Sequence, residues 1–224
     1  MDARRKTWNE RQQELRTSLS CLQEHARAIE LFLIQHAMTH AGELSTSGSA
    51  TFEDDIWENL TDPASRFIPP KCEHSIVWCF WHMTRCEDIT MNMLIAGTSQ
   101  LLMNDGWFER MRILSRDTGN SMNTAEIADF SARIDIPALR AYRLGVGHRT
   151  TEIVRTLQPG EFKIQTDPVR FQKVLAEGAV IPSQHWLIDY WGGLTAAGLL
   201  LMPSTRHNLI HLNEASKIKQ NIRK

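Results

Sequence analysis

The amino-acid sequence predicts an all-α fold, in a single domain over residues 1–224, with long helices packed lengthwise as a compact bundle. Apolar residues recur over long segments at the three- and four-residue spacing that places them on one face of a helix. The alternation typical of strands is almost absent, and its best candidate is the short stretch 162–165. With 224 residues and 42% hydrophobic content, the chain can bury one sizeable core. One or two short helices are expected on the flanks of the bundle.

Five substantial helices follow from this periodicity. They are predicted over residues 22–44, 74–96, 136–157, 184–201 and 203–222. Residues 1–20 are expected to form an N-terminal extension. Three polar segments are expected to form loops with short helical turns, namely 45–51, 61–71 and 116–123.

Residue types at the predicted helix boundaries support these limits. Asp135 and Asp167 each precede a helix with a proline in its first turn, which is a favoured N-terminal arrangement. Ser183 is expected to cap the helix that begins near residue 184. Pro203 lacks the amide hydrogen that a continuous helix needs, so the sequence predicts a break or a sharp kink there.

The balance of charges excludes several function classes. The chain has 25 Lys and Arg residues against 26 Asp and Glu residues, so no net field attracts nucleic acid or an anionic membrane. The polar N-terminus lacks the apolar run of a signal peptide, and the longest apolar run, 192–202, is too short to span a bilayer. The expected location is therefore cytoplasmic. The four cysteines include no Cys-x-x-Cys pair and are expected to be free thiols.

Nine histidines carry most of the functional information, because two pairs of them stand four residues apart on predicted helices. His36 pairs with His40, and His207 pairs with His211. Residues four apart share a face of a helix, so two imidazoles at this spacing can chelate one metal ion. Buried neutral imidazoles need polar partners. A metal ion and hydrogen bonds within an ordinary core are both able to supply them, and the spacing alone favours neither.

His82 is the best placed of the remaining histidines to act as a third ligand. It lies in the middle of the predicted helix 74–96, on a face that also carries Trp78, Cys86 and Ile89. A lone histidine on an apolar face is more often a hydrogen-bonded core residue than a ligand. The assignment of His82 therefore depends on a longer pattern.

Two segments provide that pattern, SIVWCFWHMTRCED at residues 75–88 and RHNLIHLNEA at residues 206–215. They resemble the DinB/YfiT-like superfamily, and the order of the predicted helices agrees with that family over most of the chain. The resemblance implies a four-helix bundle whose metal is held by one histidine of the second long helix and an His-x-x-x-His pair of the last. His82 matches the first position, and His207 and His211 match the pair.

The resemblance also implies a mononuclear divalent metal ion, zinc or nickel, with an open coordination position. Members of the family include thiol-dependent enzymes that use bacillithiol or mycothiol. We therefore expect a metal-dependent transferase or hydrolase acting on a small molecule, with a low-molecular-weight thiol as cosubstrate. A homodimer is expected as in many relatives, and no catalytic residue can be named.

Two alternatives remain open from the sequence. A non-catalytic, stress-related metal-binding protein would close the coordination shell with a fourth protein ligand, for which Glu214, Cys86 and His40 are candidates. A metal-free helical interaction module would leave the histidines hydrogen-bonded and its stability insensitive to chelators.

Several features depart from the short form of the family. They are the extension 1–20, an insertion around residues 98–135, and the pair His36 and His40, which is expected to form a second metal site or to line the same cleft. Glu214, one turn beyond the last histidine, is a candidate for orienting a ligand or moving a proton. Its alternative is a salt-bridged carboxylate at the edge of the bundle.

Two cysteines flank His82 on its helix and have two interpretations. Cys79 stands three residues before it and Cys86 four residues after it. Thiolates are good zinc ligands, yet free cysteines in this setting usually act as small buried hydrophobic residues. The second interpretation is the expected one.

Overall fold

The computed structural model describes residues 3–45, 48 and 50–222, and over these residues it confirms the predicted all-α fold. The α-helices are α1 Ala3–Ser20, α2 His25–Ala37, α3 Phe52–Trp57, α4 Asp62–Arg66, α5 Ile76–Asp88, α6 Trp107–Arg110, α7 Thr124–Arg133, α8 Ile136–Thr156, α9 Pro168–Ala176, α10 Trp186–Gly192, α11 Ala196–Leu201 and α12 His207–Ile222. No strand occurs in the described ranges. The stretch considered as a strand overlaps the 3₁₀ turn Glu161–Lys163, and Gln165 forms an isolated bridge to Thr195.

Helix α5 lies at the centre of the fold, and all of its residues are buried. It contacts α8 on one side and α12 on another. A helix that is apolar on nearly every side packs against several neighbours at once. The chain continues past Asp88 as the π-helical segment Ile89–Ala96. The predicted helix over residues 74–96 is therefore confirmed.

The end of this central helix is fixed by a glycine and an arginine. Gly97 has φ 71°, in the left-handed region that glycine adopts without strain, and it stops the helix. Arg170 Nη1 donates to the carbonyl oxygens of Leu94 and Ile95, at 2.7 and 2.6 Å. These bonds satisfy two of the carbonyl groups that a helix end leaves free.

The first predicted helix is shorter than expected. It consists of the 3₁₀ turn Leu22–Glu24 followed by α2, which ends at Ala37 instead of continuing to residue 44. The carbonyl of Met38 accepts a hydrogen bond from the amide of Phe52 at 3.0 Å, so it is not available to continue the helix. Tertiary contacts therefore override the helical periodicity of residues 38–44.

At Pro203 the regular α-helix gives way to a short π-helical segment, and the chain stays helical on both sides of it. Helix α11 passes into α12 through the π-helical segment Met202–Arg206, which includes the proline. Thr205 Oγ1 donates to the carbonyl oxygens of Leu200 and Leu201, at 3.0 and 2.9 Å. The wide turn accommodates the missing amide hydrogen, and the threonine satisfies carbonyls nearby. The actual interruption lies between α10 and α11, at residues 193–195.

The predicted helix caps have mixed outcomes. The side chain of Asp135 accepts from the amide of Ala138, and that of Asp167 accepts from the amide of Val169, so both predicted caps are confirmed. The cap predicted at Ser183 is wrong. Residues Pro182–Gln184 form a 3₁₀ turn, and α10 begins after it without a side-chain cap.

The N-terminal extension is an integral part of the fold. Helix α1 packs along α2 and α11, with Trp8, Leu15 and Leu19 buried. Gln12 Nε2 donates to the carbonyl oxygen of Leu201 at 3.1 Å and to Thr205 Oγ1 at 2.8 Å. Helix α1 therefore supports the π-helical segment that leads into α12.

Two expectations from composition concern the cysteines and the membrane. Cys21, Cys72, Cys79 and Cys86 are all free thiols, as predicted. Within the described part of the chain, no helix has both the length and the apolar character needed to cross a bilayer.

Candidate metal centre

The structure brings His82 of α5 together with His207 and His211 of α12. One nitrogen from each ring lies within 4.8 Å of the others. The Nε2 atoms of His82 and His207 are 3.2 Å apart. The ring centroids of His207 and His211 are 4.6 Å apart, as expected for residues one turn apart on a helix. The three histidines selected from the sequence thus meet at one point between two helices.

The second ring nitrogen of two of these histidines has a fixed partner. His82 Nδ1 donates to the carbonyl oxygen of Thr118 at 2.6 Å, and His211 Nδ1 donates to Glu214 Oε2 at 2.9 Å. A ring that carries its proton on Nδ1 has a lone pair on Nε2. Both rings are therefore held in the tautomer that can bind a metal through Nε2, since metal-binding histidines commonly donate their other ring N–H to a carbonyl or a carboxylate.

His207 differs from its two neighbours. Its Nδ1 is buried and has no hydrogen-bond partner. Its Nε2 can donate to the lone pair of His82 when no metal is bound, or it can itself bind a metal through a lone pair. The environment of His207 therefore fits both states, whereas the other two rings are already oriented.

The protonation states of these side chains favour the binding of a cation. Burial lowers the pKa of His82 to about 3 and lowers the pKa of His207 well below its usual value. Hydrogen bonds from His211 and His74 outweigh the opposing effect of burial and keep the pKa of Glu214 below its usual range. Two neutral imidazoles beside an ionised carboxylate form a favourable donor set, because metal ligands must be deprotonated.

Glu214 bonds to two histidines at the edge of the candidate centre. Its two oxygens accept from His211 Nδ1 and from His74 Nδ1, the latter at 2.6 Å. It is thus a hydrogen-bonded, half-buried carboxylate that orients a candidate ligand ring. His74, whose ring stacks on Trp78 with centroids 3.8 Å apart, was not singled out from the sequence. Its position one turn before Trp78 on the helical face could have indicated it.

A cavity of about 230 Å³ opens beside the histidines. His82 and His207 lie in its wall, together with Cys86. The remaining lining residues are mainly apolar or aromatic, namely Asn120, Trp186, Leu187, Tyr190, Trp191, Met202 and Pro203. The arrangement gives a small molecule access to two of the three candidate ligand rings.

Cys86 lies beside the candidate centre. Its Sγ is 4.0 Å from His82 Nε2, and burial raises the pKa of its thiol to about 12. Cys79 is fully buried and forms a separate group with His74 and Glu214. Cys86 is therefore the sulfur ligand that could reach the centre.

The second histidine pair forms a separate, fully buried cluster around Glu87. His36 Nε2 donates to Glu87 Oε1 at 2.7 Å, and His40 Nε2 donates to Oε2 at 3.0 Å. Thr150 Oγ1 and Asn208 Nδ2 donate to the same carboxylate at 2.7 and 2.6 Å. Burial alone would raise the pKa of Glu87, but His40 and His36 hold it well below its usual value, while burial lowers the pKa of His40 to about 3.

This arrangement contradicts the expectation that His36 and His40 line the cleft, and it leaves open whether they form a second metal site. Neither His36 nor His40 is among the residues that line the cavity, and both side chains are completely buried. The nitrogens and the Glu87 carboxylate lie within 4.8 Å of one another, which is close enough for a metal ion. The four hydrogen bonds already satisfy the carboxylate without one. Glu87 itself was missed, although a carboxylate in the middle of an apolar helix is the signal that could have revealed it.

Comparison with known proteins supports the fold alone. No protein-family model and no curated protein matches the chain. Among solved structures, the chain is similar to one described as a conserved protein of locus from Enterococcus faecalis, with a TM-score of 0.56 and 14% identity. The match covers 94% of this chain and 95% of that chain. The two proteins therefore share a fold over nearly their whole lengths.

Proposed function

We propose that this chain is a divalent-metal-binding protein with a DinB/YfiT-like four-helix bundle, in which His82, His207 and His211 hold one zinc or nickel ion. The observation that carries the proposal is the convergence of three imidazoles from α5 and α12 within 4.8 Å. Two of these rings have their Nδ1 proton committed to an acceptor. That is the usual preparation of a histidine for a metal.

The donor set favours zinc or nickel among the divalent metals. Imidazole nitrogen suits zinc, copper, iron and nickel, whereas magnesium and calcium require oxygen ligands. Three protein ligands are typical of catalytic zinc sites, which keep a fourth position for water or substrate. The cavity walls include His82 and His207, so a fourth ligand would enter from the cavity.

The activity proposed for this site is that of a metal-dependent transferase or hydrolase acting on a small molecule. When bound, the metal would lower the pKa of a water or thiol that occupies the open position. Thr118 and Glu214 would orient two of the ligand rings through the hydrogen bonds described above. Trp191 and Met202, in the cavity wall, would exclude bulk water from the bound molecule.

A second candidate function is a structural metal site without an open position. It is favoured by Cys86, whose Sγ is 4.0 Å from His82 Nε2 and which lines the same cavity. A thiolate in the fourth position would give a closed coordination shell, as in structural zinc sites. Substitution of zinc by cobalt distinguishes the two functions. A sulfur-to-cobalt charge-transfer band that disappears in Cys86→Ser would establish the structural site.

Metal content tests the main proposal. Untagged wild-type protein, reconstituted with zinc or nickel and desalted, is expected to carry about one equivalent by plasma mass spectrometry, because one three-histidine site binds one ion. His82→Ala and His211→Ala are expected to lose it, while His185→Ala, which alters an exposed histidine with its side chain 55% accessible, keeps it. A wild-type protein that retains neither metal would contradict the proposal.

Glu214→Gln is expected to weaken metal binding without abolishing it. The substitution keeps the size of the side chain but removes the charge that holds His211 Nδ1. Loss of such a partner typically costs about 10- to 100-fold in metal affinity. Competition with a chromophoric chelator measures the affinity, and Glu10→Gln is the control because its side chain is 64% exposed. Equal affinity in Glu214→Gln and wild type would show that Glu214 does not support the centre.

A further inference from the structure

We infer that the cavity beside the three histidines binds a small molecule with one aromatic ring and no charge away from its polar group, which is directed at the metal. The inference rests on the proposed metal site and adds the class of ligand. It is carried by the residues that line the cavity, by the volume of the cavity, and by two aromatic side chains exposed at its mouth.

The lining of the cavity selects against charged ligands. Among the described residues, those that line it include no Asp, Glu, Lys or Arg. Burying an unpaired charge is costly, and apart from the metal no cationic group in the wall would compensate a charge elsewhere on the ligand. A ligand that is neutral away from its metal-binding group avoids this cost. The lining therefore disfavours thiols that carry further carboxylates as occupants of this cavity.

The volume sets the size of the ligand. A dry apolar cavity of about 150 Å³ is known to accept benzene. The present cavity measures about 230 Å³, which leaves room for one ring and a short polar substituent. Apolar and aromatic walls with a few polar groups are typical of small-molecule sites. Here the polar groups are the rings of His82 and His207 and the amide of Asn120.

Two aromatic side chains that line the cavity have large exposed fractions. Trp186 is 53% exposed and Tyr190 is 43% exposed, whereas Trp191 in the same lining is 2% exposed. Aromatic rings contribute stacking and edge-to-face contacts beyond the burial of their area. Trp191 would form the fixed wall, and Trp186 and Tyr190 would close over a bound ring.

Binding of three matched probes to the zinc-loaded protein tests this inference. The probes are benzohydroxamate, acetohydroxamate and 4-carboxybenzohydroxamate, which share one metal-binding group. Calorimetry is expected to give at least 10-fold tighter binding of benzohydroxamate than of either other probe. The aromatic ring distinguishes it from the second probe, and the absence of an added carboxylate from the third. Equal affinities, or tightest binding of the carboxylated probe, would overturn the inference.

Variants of the lining residues test whether the cavity causes the preference for the aromatic probe. Trp186→Ala and Tyr190→Ala are each expected to reduce the ratio between benzohydroxamate and acetohydroxamate at least threefold. Phe67→Ala, which removes a 52% exposed ring that does not line the cavity, is expected to leave it unchanged. If Trp186→Ala changed the oligomeric state but not this ratio, the exposed rings would belong to an interface between copies and the inference would fail.

The same samples separate failure of the inference from failure of the metal site. Metal content is measured on every sample before titration. A protein that carries one equivalent of zinc but shows no aromatic preference overturns the inference alone. A protein without metal overturns the proposed function, and benzyl alcohol then tests the cavity by itself. If benzyl alcohol quenches the tryptophan fluorescence of the wild type no more than that of Trp186→Ala, the ligand class is overturned as well.

Discussion

At the scale of single residues, the hydrogen bonds of the ring nitrogens distinguish His82 and His211 from the histidines of the second cluster. His82 and His211 have their Nδ1 atoms bonded to acceptors and offer Nε2 to the centre. His36 and His40 have the opposite arrangement, since their Nε2 atoms donate to Glu87 and their buried Nδ1 atoms have no partner. The first pattern prepares a ring for a metal, and the second satisfies a buried carboxylate.

His40 is expected to make the stability of the metal-free protein depend on pH. Burial lowers its pKa from 6.5 to about 3, with Glu87 opposing this shift and Arg143 and His36 adding to it. Between these values the unfolded chain binds a proton that the folded chain does not. The free energy of unfolding therefore falls as the pH decreases from about 6.5 to 3, by up to about 1.4 kcal/mol per pH unit.

His40→Gln isolates this contribution, because the amide can still donate to Glu87 but does not titrate. Urea unfolding at several pH values, with a chelator present throughout, is expected to show a shallower pH dependence in His40→Gln than in wild type. Between pH 4 and pH 6, the slope of the free energy of unfolding against pH should fall by nearly the value for one bound proton. His185→Gln is the exposed control. Identical slopes in wild type and His40→Gln would refute the role of His40.

At the scale of secondary-structure elements, Glu87 joins four helices at one carboxylate. Its oxygens accept from His36 of α2 and His40 just after it, from Thr150 of α8 and from Asn208 of α12. Glu87 itself belongs to α5, five residues after His82. The carboxylate therefore fixes the positions of α5 and α12, the two helices that carry the candidate ligands.

Glu87→Ala is expected to destabilise the protein by at least about 3 kcal/mol, because four buried donors lose their acceptor together. Thr150→Val removes one donor from the same carboxylate and is expected to cost about 1 kcal/mol. Chemical unfolding of both variants at pH 7 measures the difference. Equal costs for the two substitutions would mean that the helices do not depend on this carboxylate.

The π-helical segment Met202–Arg206 shows how the elements set the site. It widens the helix just before His207, where α12 begins. Thr205 and Gln12 both donate to the carbonyl oxygen of Leu201, which directly precedes this segment, and Arg206 Nη1 donates to Asn9 Oδ1 of α1 at 2.8 Å. Pro203, which predicted an interruption, lies in the wide turn that leads into α12, the helix of His207 and His211.

At the scale of the whole molecule, helix α1 is part of the core. Trp8 is 2% exposed, and its Nε1 donates to the carbonyl oxygen of Gln35 on α2 at 3.3 Å. The guanidinium of Arg206 lies over the Trp8 ring, 4.9 Å from its centroid. Helix α1 thus packs against the residue that precedes the first histidine of α12.

Trp8→Ala and Trp186→Ala make the same substitution at a buried and at an exposed position. Trp8→Ala is expected to cost about 3 to 5 kcal/mol, since it removes a buried ring and leaves a cavity. Trp186→Ala, at a 53% exposed position, is expected to change stability by less than about 0.5 kcal/mol. Chemical unfolding midpoints measure both. Similar costs would indicate that α1 is not packed as described.

The sequence determined the features that are local in the chain. The helical class, the helices over 74–96 and 136–157, and the caps at Asp135 and Asp167 follow from periodicity and turn chemistry within a few residues. The pairing of His207 with His211 follows from the helical repeat in the same way. The homodimer, the cytoplasmic location and the thiol cosubstrate stay predictions.

Only the tertiary structure decided what depends on residues far apart in the chain. Thr118 is 36 residues from His82, and Asn208 is 121 residues from Glu87. The end of α2 and the passage of the helix through Pro203 depend on bonds from Phe52 and Gln12, which no local pattern contains. Periodicity selects the buried face of a helix, but the partner of each buried polar atom is chosen by packing between helices. The sequence alone therefore identified the histidines, and the fold alone provided their acceptors and the cavity beside them.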